Sequence, residues 1–238
     1  MSLDQCADQY VMSLAPDATL ALSPRADDED SWNRNFARRH RILRPSLEAA
    51  LGFGPDVVVR YWGGEPRLLR ALERRGVRVV TIEDATDMGG VRNNIATVAK
   101  GLHQAERGQA LIARMDNQLA QAAGAGQGQE ILYMTPGGYT GARGTLIDAI
   151  LRAAGFRNRA EGQGFVSVGI EALVFRPPIR VVQGFYSLWR SNWRGPGRHP
   201  VVVEATRDKV VAELPASTIS CPAWFAAEAS AFLAAAVR

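Results

Sequence analysis

The sequence predicts an α/β chain in which one long helix separates two strand–helix alternations. Three observations carry this. "DVVVR" (56–60), "EPRLLRALERRG" (65–76) and "VRVVTIE" (77–83) read as strand, helix and strand. The first is β-branched behind Gly54 and Pro55, and the second sets Leu68, Leu69 and Leu72 on one face with Gly76 as its stop. The segment 56–83 is therefore a βαβ unit, which requires a parallel sheet and a right-handed crossover. From Thr86 to Ala123 no strand-like run occurs. There Val91, Ile95, Val98 and Leu102, then Leu111, Ile112, Met115 and Leu119, recur at helical spacing. After "GAGQGQ" (124–129) the alternation resumes.

The remaining elements follow in order. "TLALS" (19–23) is a short apolar strand. Asp87 or Thr86 caps the first half of the helical stretch, and Gly101 and Gly108 predict a bend or break within it. The second half, 104–123, is a helix of about 30 Å. "EILYM" (130–134) is a strand and "TLIDAILRAAG" (145–155) a helix. "IEALVF" (170–175) is a short helix, "IRVVQGF" (179–185) a strand and "RDKVVAEL" (207–214) another. "PAWFAAEASAFLAAAV" (222–237) closes the chain as a helix with Pro222 in its first turn. The expected division is a lobe over 1–103, a connecting helix over 104–123 and a lobe over 124–238. A rigid connector between two similar lobes puts a ligand in the cleft between them.

Composition narrows the function. The chain has 238 residues, 47% of them apolar, enough for one core or two small lobes. No apolar run is long enough to span a bilayer, and "MSLDQCADQY" has neither the basic start nor the apolar segment of a signal peptide. The formal charge is +4, and the one basic cluster is "RNFARRHRILR" (34–44). It lacks a nucleic-acid-binding motif or interleaved aromatics, so it reads as a solvated face with no nucleic-acid partner. The two cysteines, Cys6 and Cys221, stand alone, as do His40, His103 and His199, so no metal-site spacing is present. The cysteines are free thiols in a reducing compartment or a disulfide in an oxidising one.

Two groups of residues carry candidate chemistry. "PGGYTGARGT" (136–145) follows a strand and opens a helix, yet it fails both phosphate-binding patterns. Position 143, where a Walker-type loop needs its second glycine, is Arg143, and no lysine is near. It is an ordinary turn, or a loop whose glycines let a ligand approach Tyr139 and Arg143. Aromatic residues gather in loops after strands: Tyr61 and Trp62 in "RYWGGEP", Phe185, Tyr186, Trp189 and Trp193 in "GFYSLWRSNW", and Trp224 in "CPAW". Any single tryptophan is core or contact. The group, at the carboxyl ends of strands, suits a large, flat or partly apolar ligand. No GxSxG and no marked acid–base pair occur, so no motif supports enzyme chemistry.

On these residues the chain resembles the periplasmic substrate-binding proteins of ABC importers for vitamin B12, ferric siderophores and haem, the class with a helical backbone. "SLDQCADQYVMSLAPDATLALSPRADD" is similar to the family's opening strand, "CxDQ" turn, helix and second strand. "FGPDVVVRYWGGEPRLLRALERRGVRVV" resembles its "PDLV" strand and ligand loop, and "PGGYTGARGTLIDAILRAAGFRN" its first loop in the second lobe. "SVGIEAL" and "CPAWFAAEAS" resemble later segments. The family's second "PD" pair is here Pro177 and Pro178, and its "CGGPW" is "CPAW".

The resemblance implies two Rossmann-like lobes joined by one long helix, and capture without catalysis. Asp8, Gln9, Tyr10, Tyr61, Trp62, Gly63 and Gly64 would face Tyr139, Arg143, Phe165, Tyr186 and Trp189 across the cleft, with Trp224 nearby. Glu171, and Glu65 at a shifted position beside Arg67, would dock on permease arginines; otherwise they are solvated carboxylates. It implies a monomer that needs no cofactor of its own, a periplasmic location with the signal peptide removed, an artificial Met1, and a Cys6–Cys221 disulfide. The ligand is a metal chelate, a corrinoid before a ferric siderophore or haem. Arg60, Arg143 and Arg190 would serve an anionic siderophore, and Tyr61, Tyr139 or Tyr186 a haem iron. The reading of another class is a two-lobed enzyme such as a glycosyltransferase, whose nucleotide motif is absent.

Overall fold

The computed structural model describes residues 1–191 and 194–237. The chain divides into two α/β units. Met1–Asp84, Gly89–Ala113 and Ser220–Trp224 form the first; Ala85–Met88, Arg114–Ile219 and Phe225–Arg238 form the second.

In the first unit, α1 (Gln5–Leu14) starts where the Asp4 side chain accepts from Ala7 N, an N-cap that fixes the helix entry. After β1 (Ala21–Leu22) come α2 (Arg34–Ala37), the edge strand β2 (Arg41–Ile42) and α3 (Leu47–Phe53), capped by Ser46 and closed by Gly54 at φ +66°. The predicted βαβ unit is β3 (Val57–Arg60), α4 (Pro66–Glu73) and β4 (Arg78–Thr81), with Val57–Thr81 paired in parallel register from Val57↔Arg78 to Arg60↔Thr81. β1 and β2 are also parallel. Met1–Leu3 lies between the two pairs: Ser2 N donates to Ala21 O at 3.0 Å, and Leu3 N donates to Val59 O at 3.1 Å. The parallel order is thus β2, β1, Met1–Leu3, β3, β4. Met1, Leu3, Val58, Leu68 and Leu72 share its core.

Next come α5 (Met88–Gly101) and α6 (Ala105–Ala122), and the division between the units falls inside α6. The break between the helices is at His103, which has φ 57°. The break expected from Gly101 and Gly108 is thus present and falls between them, while Gly108 itself lies within α6. It is buried in α6, where an added Cβ would lie 2.5 Å from the Ala99 Cβ, so it lets α5 and α6 pack closely.

The second unit holds β5 (Glu130–Met134), β6 (Tyr139–Gly141), α7 (Leu146–Ala153), β7 (Arg157–Asn158), β8 (Phe165–Ser167), α8 (Ile170–Phe175), β9 (Val181–Gly184), α9 (Pro200–Thr206), β10 (Val210–Leu214) and α10 (Ala226–Ala236). Its parallel sheet has the order β10-β9-β5-β7, and β6 pairs antiparallel with β8. Ile131, Tyr133, Ile150, Val182 and Leu233 are among its core residues. Thr145 caps α7 as its sequence position implies. Pro222 lies before α10 rather than in its first turn, because Ser220–Trp224 belongs to the first unit.

Candidate functional site

The first-unit site forms at the carboxyl ends of parallel strands, where open α/β sheets bind ligands. There the loops after Leu3, β1 and β3 meet Pro45 around a cavity of about 630 Å³, lined among others by Asp4, Ser23, Pro24, Tyr61 and Trp62. Among the lining residues that sequence reasoning missed, Asp4 has the most hydrogen bonds to the surrounding backbone. One of its oxygens caps α1. The other accepts three backbone N–H groups, from Tyr61 at 2.6 Å, Trp62 at 3.1 Å and Gly63 at 2.9 Å. A short polar residue just before a helical run is the signal that would have found it as a cap; its second role depends on tertiary placement.

The loop it holds is closely fitted. A Cβ at Gly63 would lie 2.3 Å from Leu3 O, so only glycine fits there, and Gly64 has φ +84°. Arg60 Nε donates to Gly63 O at 2.6 Å. The result is a rigid turn that holds Trp62 out, 75% exposed, at the cavity wall. Tyr61 stands edge-on to it with ring centroids 5.5 Å apart and donates its hydroxyl to Asp84 at 2.8 Å. Burial, chiefly, pushes the Tyr61 phenol up to about 12.

Asp8, Gln9 and Tyr10, expected on a ligand loop, lie inside α1 with their side chains buried. The Asp4 cap turns the expected "CxDQ" turn into helix. Asp8 accepts from Ser2 Oγ, from Ser23 N at 2.9 Å and from Ser23 Oγ at 2.6 Å. Burial pushes its carboxyl up to about 7 against the opposing pull of those bonds. Gln9 bonds Ser31 Oγ at 2.8 Å and accepts from Asn33 N at 2.8 Å. Tyr10 donates to Pro222 O at 2.7 Å, and its buried phenol is raised. Trp224 is also core, edge-on to Tyr10 and Trp32 at 5.4 and 5.5 Å. These four side chains build the first unit's interior and are not at its surface. Cys6 and Cys221 form a disulfide.

Of the aromatics expected at the site in the second unit, Tyr139, Phe165 and Trp189 are exposed, at 53%, 65% and 73%; Phe175 and Phe232 are exposed in this unit as well. Tyr139 ends a tight turn in which Thr135 N donates to Tyr139 O at 3.0 Å. β6 then pairs Tyr139 with Ser167 and Gly141 with Phe165. Arg143 is exposed, and its carbonyl accepts from Gly164 N at 2.9 Å. Tyr186 is half-buried, with its hydroxyl donating to Gly197 O at 3.0 Å and the Arg198 guanidinium 4.9 Å over its ring. It braces the loops after β5 and β9, and burial pushes its phenol up to about 12. The Arg190 guanidinium lies 4.8 Å over the Trp189 ring. Trp193 lies outside the described residues.

A periplasmic binding protein family model matches residues 11–178, more than two thirds of the chain. The chain belongs to the periplasmic binding protein family. It is a binding protein and not an enzyme. No curated protein matches this binding protein by sequence. Solved structures share its fold. A periplasmic haem-binding protein of Pseudomonas aeruginosa is 22% identical, with a TM-score of 0.72, over 99% of this chain and 91% of that one. The periplasmic haem-binding protein RhuT of Roseiflexus sp. RS-1 is 17% identical, with a TM-score of 0.74, over 99% and 96%. The CeuE protein of Helicobacter pylori with Ni(II) bound is 18% identical, with a TM-score of 0.70, over 100% and 82%.

Two further expected residues of the binding protein sit at helix starts. Glu65 is the N-cap position of α4, makes no side-chain capping bond and is exposed. Glu171 is exposed in the first turn of α8. Among the described residues no group of three or more His, Cys, Asp or Glu could hold a metal ion, and no helix is long and apolar enough to cross a membrane.

Proposed function

We propose that this binding protein captures a metal chelate that brings its own metal ligands, a corrinoid before haem, and hands it to an ABC permease. One observation carries the reading: Trp62 stands exposed on a loop clamped by Asp4, at the wall of a cavity large enough to take part of such a ligand. A rigid, exposed indole offers a stacking face at small entropic cost. The Tyr61 hydroxyl in the same wall is committed to Asp84 and raised to about 12, so a phenolate for ferric iron is costly there. That favours a metal already saturated by its chelate. Glu171 and Glu65, exposed at helix starts, serve as the carboxylates that meet permease arginines.

The haem-binding proteins among the structural relatives support a second reading, haem capture, with the exposed Tyr139 as the tyrosine offered to iron. Titration with cyanocobalamin, haemin, a ferric catecholate and a ferric hydroxamate, followed by tryptophan fluorescence and calorimetry, separates them. Cyanocobalamin should bind most tightly, and Trp62→Ala should weaken it at least several-fold. Tighter haemin binding with a tyrosinate-to-iron absorption band, lost in Tyr139→Phe, would replace the corrinoid. No binding of any chelate would overturn the reading.

A further inference from the structure

Apart from Pro45 at the cavity wall, the basic stretch of the first unit has no place in ligand capture. Arg34, Arg38, Arg39, Arg41 and Arg44 are all exposed, and Glu48 is the only acid between positions 34 and 51. Among the described residues Arg38 is the one of these five with an ion pair, 3.9 Å from Asp27 with both side chains about half exposed. Such a pair neutralises little. Apolar side chains are exposed within the same stretch. Ile42 is 41% exposed on β2, and Leu47 and Leu51, one turn apart on α3, are 36% and 47% exposed. An arginine on an edge strand is explained by the need to block strand pairing. That need does not explain an exposed leucine ridge on the next helix.

We infer that residues 34–51 form a peripheral binding surface for an anionic phospholipid bilayer. Charge and polarity together select this occupant. A soluble anion or a nucleic-acid backbone would satisfy the arginines and leave Ile42, Leu47 and Leu51 in water. A bilayer with acidic headgroups answers both, since arginines meet the phosphates while short apolar side chains enter the headgroup boundary. The contact is electrostatic first and therefore reversible and salt-sensitive.

Flotation of the intact protein with phosphatidylcholine vesicles, with and without about 30% phosphatidylglycerol, tests this at about 0.05 and 0.3 M salt. The protein should float with the anionic vesicles at low salt, stay behind with the neutral ones, and be released at high salt. The triple variant Arg39→Gln, Arg41→Gln, Arg44→Gln should weaken binding on the order of 100-fold. Ile42→Ser with Leu51→Ser should weaken it several-fold and leave the salt dependence unchanged. Circular dichroism checks that each variant folds. Absence of binding to anionic vesicles at low salt, equal binding to neutral vesicles, or a triple variant that binds as well as the parent would each overturn the inference.

Discussion

Each carboxylate oxygen of Asp4 has its own set of backbone donors, one at the start of α1 and three in the Tyr61–Gly63 turn. A hydrogen bond to a charged acceptor contributes about 1.5–3 kcal/mol, and an N-cap about 1 kcal/mol. Asp4→Ala should therefore destabilise the protein by at least about 2 kcal/mol in urea denaturation. It should also weaken the preferred chelate, because the Trp62 loop loses its anchor. Asp4→Asn should fall between, since an amide offers an acceptor to only one of the two donor sets. Asp8 makes a separate prediction about pH. Its folded pKa of about 7 lies above the ordinary carboxylate value of 3.8, so between those limits the folded state holds more protons than the unfolded state. Stability then falls as pH rises through that window and levels off above it. Denaturation at pH 5 and pH 8 should show this fall, and Asp8→Asn should remove most of it. An unchanged slope in the variant would assign the pH dependence to other groups.

At the scale of elements, the sequence is legible where periodicity has room to repeat. The βαβ unit, the helix at Ala105–Ala122, the Thr145-capped helix and the strands at 130–134 and 181–184 all stand where their patterns predict. The short elements α2, β2, α3, β7 and α9 were unread, because two to seven residues do not establish a period. The β6–β8 pair was unread for another reason: its partners are separated by more than twenty residues, and the glycines that shape it look like a loop. The site divides in the same way. Exposed aromatics in loops after strands were legible at Trp62, Tyr139 and Trp189, while Phe165, on β8, was named only through the resemblance, and Asp8–Tyr10, named the same way, fall in a helix because helix and turn differ there by one cap. Gly108 shows a glycine whose meaning is packing. Gly108→Ala should gain about 1 kcal/mol of helix propensity, yet it sets two methyl groups 2.5 Å apart. Overpacking of that kind costs about 1–3 kcal/mol, so the net effect should be a lower Tm. Adding Ala99→Gly moves the methyl to the other helix and should recover part of the loss, a coupling that a double-mutant cycle measures.

At the scale of the whole molecule, the chain leaves the first unit inside α6 and returns to it only for Ser220–Trp224. Five residues must therefore be held by contacts far from them in sequence. Ser220 Oγ donates to Asp30 O at 3.1 Å, Tyr10 donates to Pro222 O at 2.7 Å, Trp224 packs against Tyr10 and Trp32, and Cys221 is bonded to Cys6 across 215 positions. The magnitudes rank these ties. Each neutral hydrogen bond contributes about 1 kcal/mol, while a disulfide closing so long a loop contributes about 2–5 kcal/mol, chiefly by restricting the unfolded chain. Such a bond persists in an oxidising compartment, where this family works. The covalent tie should then dominate the return. Reduction, or Cys6→Ser with Cys221→Ser, should lower the stability followed by tryptophan fluorescence by about 2–5 kcal/mol, with Trp32 and Trp224 as the local reporters. Tyr10→Phe, which removes one hydrogen bond and keeps the ring, should cost only about 1 kcal/mol. If Tyr10→Phe proved the more damaging change, the buried Tyr10–Trp224 packing and its hydrogen bond, rather than loop closure, would be what keeps the returning segment in place.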